Sequence, residues 1–211
     1  MAALAGVLSL DERARASRLL APDGRRRSVV ARAILRRILG SYLDTPASAI
    51  RFRYGPSGKP EVAWPRRIEF NLSHSDDLAL YAVHGRAEVG VDVERVRPVD
   101  RIEALARRFF SAREHQALAA LAPARRNQAF LTWWTRKEAC VKASGGTLLP
   151  GLRRPDVFFA AGAVTQTAGA ADATTAAARW HLTDLAPEPG YVGAVACRLP
   201  TPRVSTWRWP E

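Results

Sequence analysis

Apolar positions recur first at a helical period and then, beyond Ile50, at an alternating one, so the chain is expected to open with helices and continue with short strands. Ser9-Leu10-Asp11-Glu12 fits the S-x-x-E capping box, in which serine and glutamate side chains satisfy orphan N–H groups at a helix start. It predicts a short basic helix to about Leu20. After the break at Pro22-Asp23-Gly24, Val30, Ile34 and Ile38 recur at helical spacing, joined by Leu35, Leu39 and Tyr42. That stripe is expected to be buried, with Arg32, Arg36 and Arg37 mostly elsewhere and the helix ending before Pro46. Ile50–Tyr54 alternates at period two, Gly55-Pro56-Ser57-Gly58 is turn chemistry, and Glu61–Trp64 can run back as a partner strand. Further strands are expected at Ile68–Ser73, Leu78–His84 and Glu88–Glu94.

Pro98 closes this half, and Ser111-Ala112-Arg113-Glu114 offers a second capping box that opens a helix toward Leu121. A longer helix is predicted from about Gln128 to Ala143, stopped by Ser144-Gly145-Gly146. Ala160–Ala178, rich in Ala, Thr and Gly, reads as a variable loop or weak strand pair. Trp180–Leu185 and Tyr191–Ala196 read as another strand pair, loosely echoing Asn71–Val83. The expected architecture is therefore α+β, two similar halves meeting around Arg95–Ile102, with residues 1–97 in one subdomain and 98–211 in the other.

Composition adds bounds. A length of 211 residues suits one large domain or two small ones in contact. With 47% hydrophobic and 25% charged residues the chain is well away from disordered compositions. No apolar run approaches a membrane span, and Met1–Leu10 lacks the marks of a secretory signal, so a cytoplasmic location is expected. Cys140 and Cys197 stand far apart outside any C-x-x-C pair, which signals neither a disulfide framework nor a zinc site. The net charge of +12 predicts attraction to a polyanion, whether nucleic acid, a phosphorylated ligand or an acidic protein. The arginines, densest from Arg13 to Arg37, read equally as solvated helix faces, since a charge run alone specifies little.

Three clusters carry candidate chemistry. In Gly90-Val91-Asp92-Val93-Glu94 the strand period places Asp92 and Glu94 on one face. Two adjacent carboxylates suit magnesium, which accepts carboxylate oxygens and keeps positions open for phosphate and water. Taken alone the pentapeptide reads more readily as a polar, solvent-facing strand side. Glu138 and Lys142 lie one helical turn apart, which alone is a routine helix pair worth ~0.2–0.5 kcal/mol. Trp133 and Trp134 read as core. In Asn71-Leu72-Ser73-His74-Ser75, Ser73 and His74 sit near a strand end, where a hydroxyl, N–H groups and an imidazole could bind phosphate. The chain shows no Ser-His-Asp logic, no H-x-x-x-H zinc helix and no G-x-x-x-x-G-K-S/T phosphate loop.

Order and combination add what single motifs lack: GKP at Gly58–Pro60, NLSHS at Asn71–Ser75, GVDVE at Gly90–Glu94, FFSAREHQAL at Phe109–Leu118 and WTRKEACVK at Trp134–Lys142. Together they resemble the surfactin-synthetase-activating class of 4'-phosphopantetheinyl transferases. The similarity runs from about Ser9 to Gly151 and is weaker beyond, where W-x-L and YVGAVA look familiar. The resemblance implies a pseudo-dimer of two similar α/β subdomains, with coenzyme A and magnesium in the cleft between them.

Carried over position by position, the resemblance makes Asp92, Glu94 and Glu138 the metal carboxylates and Lys142 a coenzyme A phosphate contact. Ser73 and His74 match residues that hold coenzyme A phosphates, and Lys59 of GKP sits where the family contacts the nucleotide. Arg15, with Arg13 near it, aligns with basic positions for the 3'-phosphate, and Ser28 with another nucleotide contact. Catalytic roles fall to Glu138 as general base and to Lys142 and His74 as donors. The partner implied is an acidic apo acyl or peptidyl carrier protein, met by a monomer without nucleic acid or membrane. Family members usually begin with an extra strand before the first basic helix. Only Met1–Leu8 precedes Ser9 here, so the N-terminal sheet is expected to lack an edge strand. A nucleic-acid-binding module would explain the charge but not the ordered acids, which would repel a phosphate backbone. A magnesium-dependent phosphohydrolase would use similar residues with water as nucleophile.

Overall fold

A computed structural model describes residues 2–56, 58–64, 68–145, 162–165, 179–199 and 202–209. The chain runs α1 (Ala2–Ala5), α2 (Leu10–Ser17), α3 (Pro22–Leu43), β1 (Arg51–Tyr54), β2 (Pro60–Trp64), β3 (Glu69–Ser75), β4 (Leu78–His84) and β5 (Val89–Arg95). It continues through α4 (Ile102–Phe109), α5 (Ala112–Ala120), α6 (Pro123–Ala143), β6 (Gly162–Thr165), β7 (Arg179–Leu185) and β8 (Tyr191–Cys197). β1 and β2 form one antiparallel pair, β3 and β4 another, and the remaining strands a sheet ordered β5-β8-β7-β6. Mixed α+β architecture is what the two periods predicted. Ala2–Ala5 form a helical turn, so among the described residues no strand precedes Ser9 and the first sheet is β1 with β2 alone. Most of the Ala160–Ala178 stretch lies outside the described residues; Gly162–Thr165 within it is a strand.

Each half is built on a long helix that starts with proline in its first turn, where the missing N–H costs nothing. For α6 this moves the start to Pro123 from the expected Gln128. Leu35, Leu39 and Leu43 of α3 pack with Ile50, Val62, Ile68 and Phe70 to form the first core. Tyr42 departs from expectation at 48% exposed, because Leu43 takes the inward position. In the other half Ala139, Cys140 and Ala143 of α6 pack on Trp180, Leu182, Ala194 and Ala196. Trp133 belongs to a neighbouring cluster with Phe110, Leu118 and Phe130, and Trp134 packs against it. Cys140 and Cys197 are both free and buried, and burial pushes the Cys140 thiol up to about 12.

The two capping boxes have a second use. Ser9 N–H donates to Glu12 Oε2 at 2.9 Å, and Ser111 N–H donates to Glu114 Oε2 at 2.8 Å. Each glutamate then receives a cation from the long helix that follows. Arg36 Nε donates to Glu12 at 2.7 Å and Lys137 Nζ to Glu114 at 2.7 Å, at sequence separations of 24 and 23. Arg36 is 1% exposed and Lys137 is fully buried, which corrects the expectation that Arg36 lies off the buried face. Arg36 also donates to the Ala47 and Ile50 carbonyls, so its charge is spent on structure. Burial opposes ionisation of Glu12, but Arg36 and Arg32 outweigh it and hold the carboxyl below its ordinary range.

Candidate active site

β5 lies between the halves. Its backbone pairs with β8, Asp92 opposite Ala194 and Glu94 opposite Val192. Its other edge meets β3 through side chains: Asn71 Oδ1 accepts from Val91 N–H at 2.9 Å and Ser75 Oγ accepts from Arg95 N–H at 3.1 Å. Ser73 Oγ donates to Asp92 Oδ1 at 2.7 Å and Ser75 Oγ to Glu94 Oε2 at 2.9 Å. Alternation on β3 thus turns Asn71, Ser73 and Ser75 onto β5, and His74, which is exposed, to the opposite side.

The face of β5 carrying Asp92 and Glu94 is covered by α6, and Gly90 permits the approach. A Cβ at Gly90 would fall 2.1 Å from the Ala139 carbonyl oxygen and 2.4 Å from the Ala143 nitrogen. With backbone seated there, the Glu138 and Lys142 edge of α6 reaches the carboxylates. Lys142 Nζ donates to Asp92 Oδ1 at 2.6 Å and to Ser73 Oγ at 3.1 Å, and lies 3.9 Å from Glu138 Oε2. Asp92 Oδ2 is buried without a hydrogen-bond partner in the described structure, an orphan acceptor that calls for a cation or donor. Among the described residues, His, Cys, Asp and Glu nowhere form a group of three at metal-holding spacing.

The electrostatics follow from this crowding. Burial raises the Asp92 carboxyl above its ordinary value despite the Lys142 charge and the Ser73 bond. Burial also raises Glu94, opposed by the Ser75 bond and reinforced by Asp92. Glu138 is pushed up to about 7 by burial and by Asp92, with Lys142 opposing and Glu94 adding. Three acids thus lie within electrostatic reach of one another and share one ammonium.

The structure brings Ser73, Asp92, Glu94, Glu138 and Lys142 together, and sets the remaining sequence candidates around or away from them. Lys59 Nζ donates to the carbonyls of Lys142 and Ala143 at 2.9 and 3.2 Å, at the end of α6. Arg15 pairs with Asp11 at 2.7 Å and lies 4.3 Å over the Tyr54 ring. Since Tyr54 is opposite Pro60, Arg15 and Lys59 flank the turn of one hairpin. Arg13 folds back onto the Leu8 carbonyl at 3.0 Å, and Ser28 is half-buried on α3. Asn71 and Ser75 are positioning residues that the motif reading passed over. The signal for them was present in the period-two spacing of Asn71, Ser73 and Ser75.

Two family models cover the chain: one described as the 4'-phosphopantetheinyl transferase superfamily matches residues 88–196, and one described as 4'-phosphopantetheinyl transferase, N-terminal, matches residues 1–86. The chain belongs to the 4'-phosphopantetheinyl transferase superfamily. It is 41% identical over 197 residues to the 4'-phosphopantetheinyl transferase HetI of a Nostoc strain, an alignment covering 92% of this chain and 79% of that protein. It is 36% identical over 145 residues to 4'-phosphopantetheinyl transferase psf-1 of Bacillus pumilus, covering 69% of this chain and 61% of that one. With AcpT of Escherichia coli K12 the identity is 41% over 128 residues, covering 60% of this chain and 63% of AcpT.

Proposed function

We propose that this protein transfers the 4'-phosphopantetheine moiety of coenzyme A to a serine of an apo acyl or peptidyl carrier protein, releasing 3',5'-ADP. The observation that carries the reading is the orphaned Asp92 Oδ2 beside Lys142, at a place where acids from two separate motifs meet. A buried acceptor with neighbouring raised acids fits a hard cation, and Asp92, Glu94 and Glu138 are the residues that would hold magnesium. Bound there, magnesium would offset charge on the pyrophosphate.

The chain's own groups supply the remaining work. Lys142, freed from Asp92, donates to phosphate oxygens, and Ser73 adds a hydroxyl next to it. Glu138 accepts the proton of the carrier serine as its hydroxyl oxygen bonds to the β-phosphorus and the bond to the 3',5'-ADP oxygen breaks. Arg15 and Lys59 bind the nucleotide end, with Arg13 and Ser28 nearer its periphery. His74, exposed on the other side of β3, reaches phosphate only from outside the acidic cluster. We assign the protein a cytoplasmic site of action as a monomer, with an acidic carrier as partner and no nucleic acid; no described helix is long and apolar enough to cross a membrane.

The test is direct. Coenzyme A, magnesium and an apo carrier are incubated with the protein and the carrier is weighed by mass spectrometry. A phosphopantetheine adduct on serine is expected, and an unmodified carrier with hydrolysed coenzyme A would point to a phosphohydrolase instead.

A further inference from the structure

Residues 202–209, Pro-Arg-Val-Ser-Thr-Trp-Arg-Trp, form no helix or strand, and every side chain from Arg203 onward is exposed, Trp207 at 78% and Trp209 at 41%. The segment carries two arginines and no acid. Arg208 Nη2 lies 2.5 Å from Glu188 Oε1, in the turn between β7 and β8. That turn abuts the end of β5: Val96 N–H donates to the Gly190 carbonyl at 2.7 Å, and Tyr191 and Val192 stand opposite Arg95 and Glu94. The two indoles are therefore tethered at the end of β5 that bears the Glu94 carboxylate, where Arg95 and Arg97 are also exposed.

We infer that residues 202–209, with Arg95 and Arg97, form the docking surface for the acidic carrier protein, an inference that rests on the transfer activity proposed above. Two exposed tryptophans are costly to leave in water, since each indole offers ~150–250 Å² for burial. Tryptophan and arginine together are the residue types that dominate binding energy at protein interfaces. The tether is an exposed ion pair, 82% and 35% accessible on its two sides, and such pairs are worth at most ~1 kcal/mol. The segment can therefore be re-laid over a partner at small cost. Charge selects the partner: Arg203 and Arg97, beside Arg208 and Arg95 in their exposed pairs with Glu188 and Asp76, favour an acidic protein, in a chain that carries +12 overall. A carrier held there presents its serine to the Glu94 and Glu138 side of the site.

The full chain is compared with the double variant Trp207→Ala/Trp209→Ala and with Arg208→Glu. Binding of an apo carrier is followed by calorimetry, transfer by mass spectrometry, and thermal unfolding serves as the control for folding. Carrier Kd and KM should rise roughly tenfold or more in both variants, while KM for coenzyme A and the Tm stay at wild-type values. Variants that bind and modify the carrier like wild type would refute the surface and leave the transfer reading standing. A wild type that binds carrier without modifying it, with binding lost in the variants, would keep the surface and sink the transfer reading. A wild type that does neither removes both. Vesicles of phosphatidylglycerol and a single-stranded oligonucleotide are titrated in parallel. Variants that lose affinity for either of these, with carrier Kd unchanged, would assign the segment to that ligand and overturn the inference.

Discussion

Glu138 is held uncharged by its surroundings more than any other described acid near β5, and this has a consequence for stability that needs no catalysis to measure. Its carboxyl rises from the ordinary 4.5 to about 7, chiefly by burial and then by Asp92. A raised acid favours folding below its unfolded value, and that contribution is lost as pH climbs through the folded value. The metal-free protein should therefore lose stability between about pH 5 and pH 7 on account of this residue. Glu138→Gln, which stays neutral, should match wild type at pH 5 and exceed it at pH 8 by up to ~3 kcal/mol in urea unfolding. An equal difference at both pH values would remove the linkage. Magnesium should then raise the Tm of wild type more than that of Glu138→Gln, because the cation repays the ionised carboxylate; equal shifts would remove Glu138 from the metal set. At Asp92 the orphaned oxygen makes the expectation sharper. Asp92→Ala and Glu138→Ala should each abolish transfer while leaving the fold intact, and near-normal turnover in either folded variant would refute its role.

At the scale of elements, the site exists because α6 lies on β5 where Gly90 has no side chain. Gly90→Ala would drive a methyl carbon to 2.1 Å from the Ala139 carbonyl oxygen, with backbone on both sides that cannot swing away. The helix must lift, and a loss of ~1–3 kcal/mol or more is expected, with transfer falling further because Glu138 and Lys142 move together. Retained stability and activity would show that α6 does not depend on a bare Gly90 to reach the carboxylates. Ser75→Ala should cost ~1–3 kcal/mol, since it also strands the Arg95 N–H, and should lower kcat more than it raises KM for coenzyme A, because it frees Glu94 without touching substrate. These contacts also separate what was legible in the sequence from what was not. Strands β4 and β7 and the capping boxes at Ser9 and Ser111 could be read from local pattern, because turn chemistry and period decide them. That β5 pairs with β8, about a hundred residues away, could not, since pairing partners depend on the whole fold. Likewise α4 follows no cap of the usual kind: its N-cap is Arg101 with φ 56°, a left-handed arginine that no capping rule selects. The acids and Lys142 were recoverable through motifs, whereas the outward turn of His74 follows from alternation on a strand whose register the sequence left open.

Across the whole molecule the same device appears in each half: a capped short helix, a proline-led long helix, and a buried cation from the second closing on the capping glutamate of the first. Arg36 with Glu12 and Lys137 with Glu114 occupy corresponding places, which is the physical content of a pseudo-dimer beyond any likeness of outline. Lys137 directly precedes Glu138, so the second pair fixes the helix on which half the site is mounted. In both pairs the cation also lies over an aromatic ring, Arg36 5.1 Å over Phe52 and Lys137 5.6 Å over Phe110, and the Lys137 side chain is wholly shielded from water. Breaking a buried pair from one side strands a charge at a cost of ~3–5 kcal/mol, whereas replacing both partners with apolar residues of like size is commonly neutral. Glu114→Leu should therefore destabilise by about that amount in urea unfolding, and adding Lys137→Met should recover most of it. If the double variant were as unstable as the two single losses summed, the two residues would act independently and neither loss would be stranding the other's charge. Transfer by the double variant is the finer measure. Recovery of stability without recovery of kcat would mean that the ion pair sets the angle of α6, and with it the reach of Glu138 and Lys142 toward Asp92.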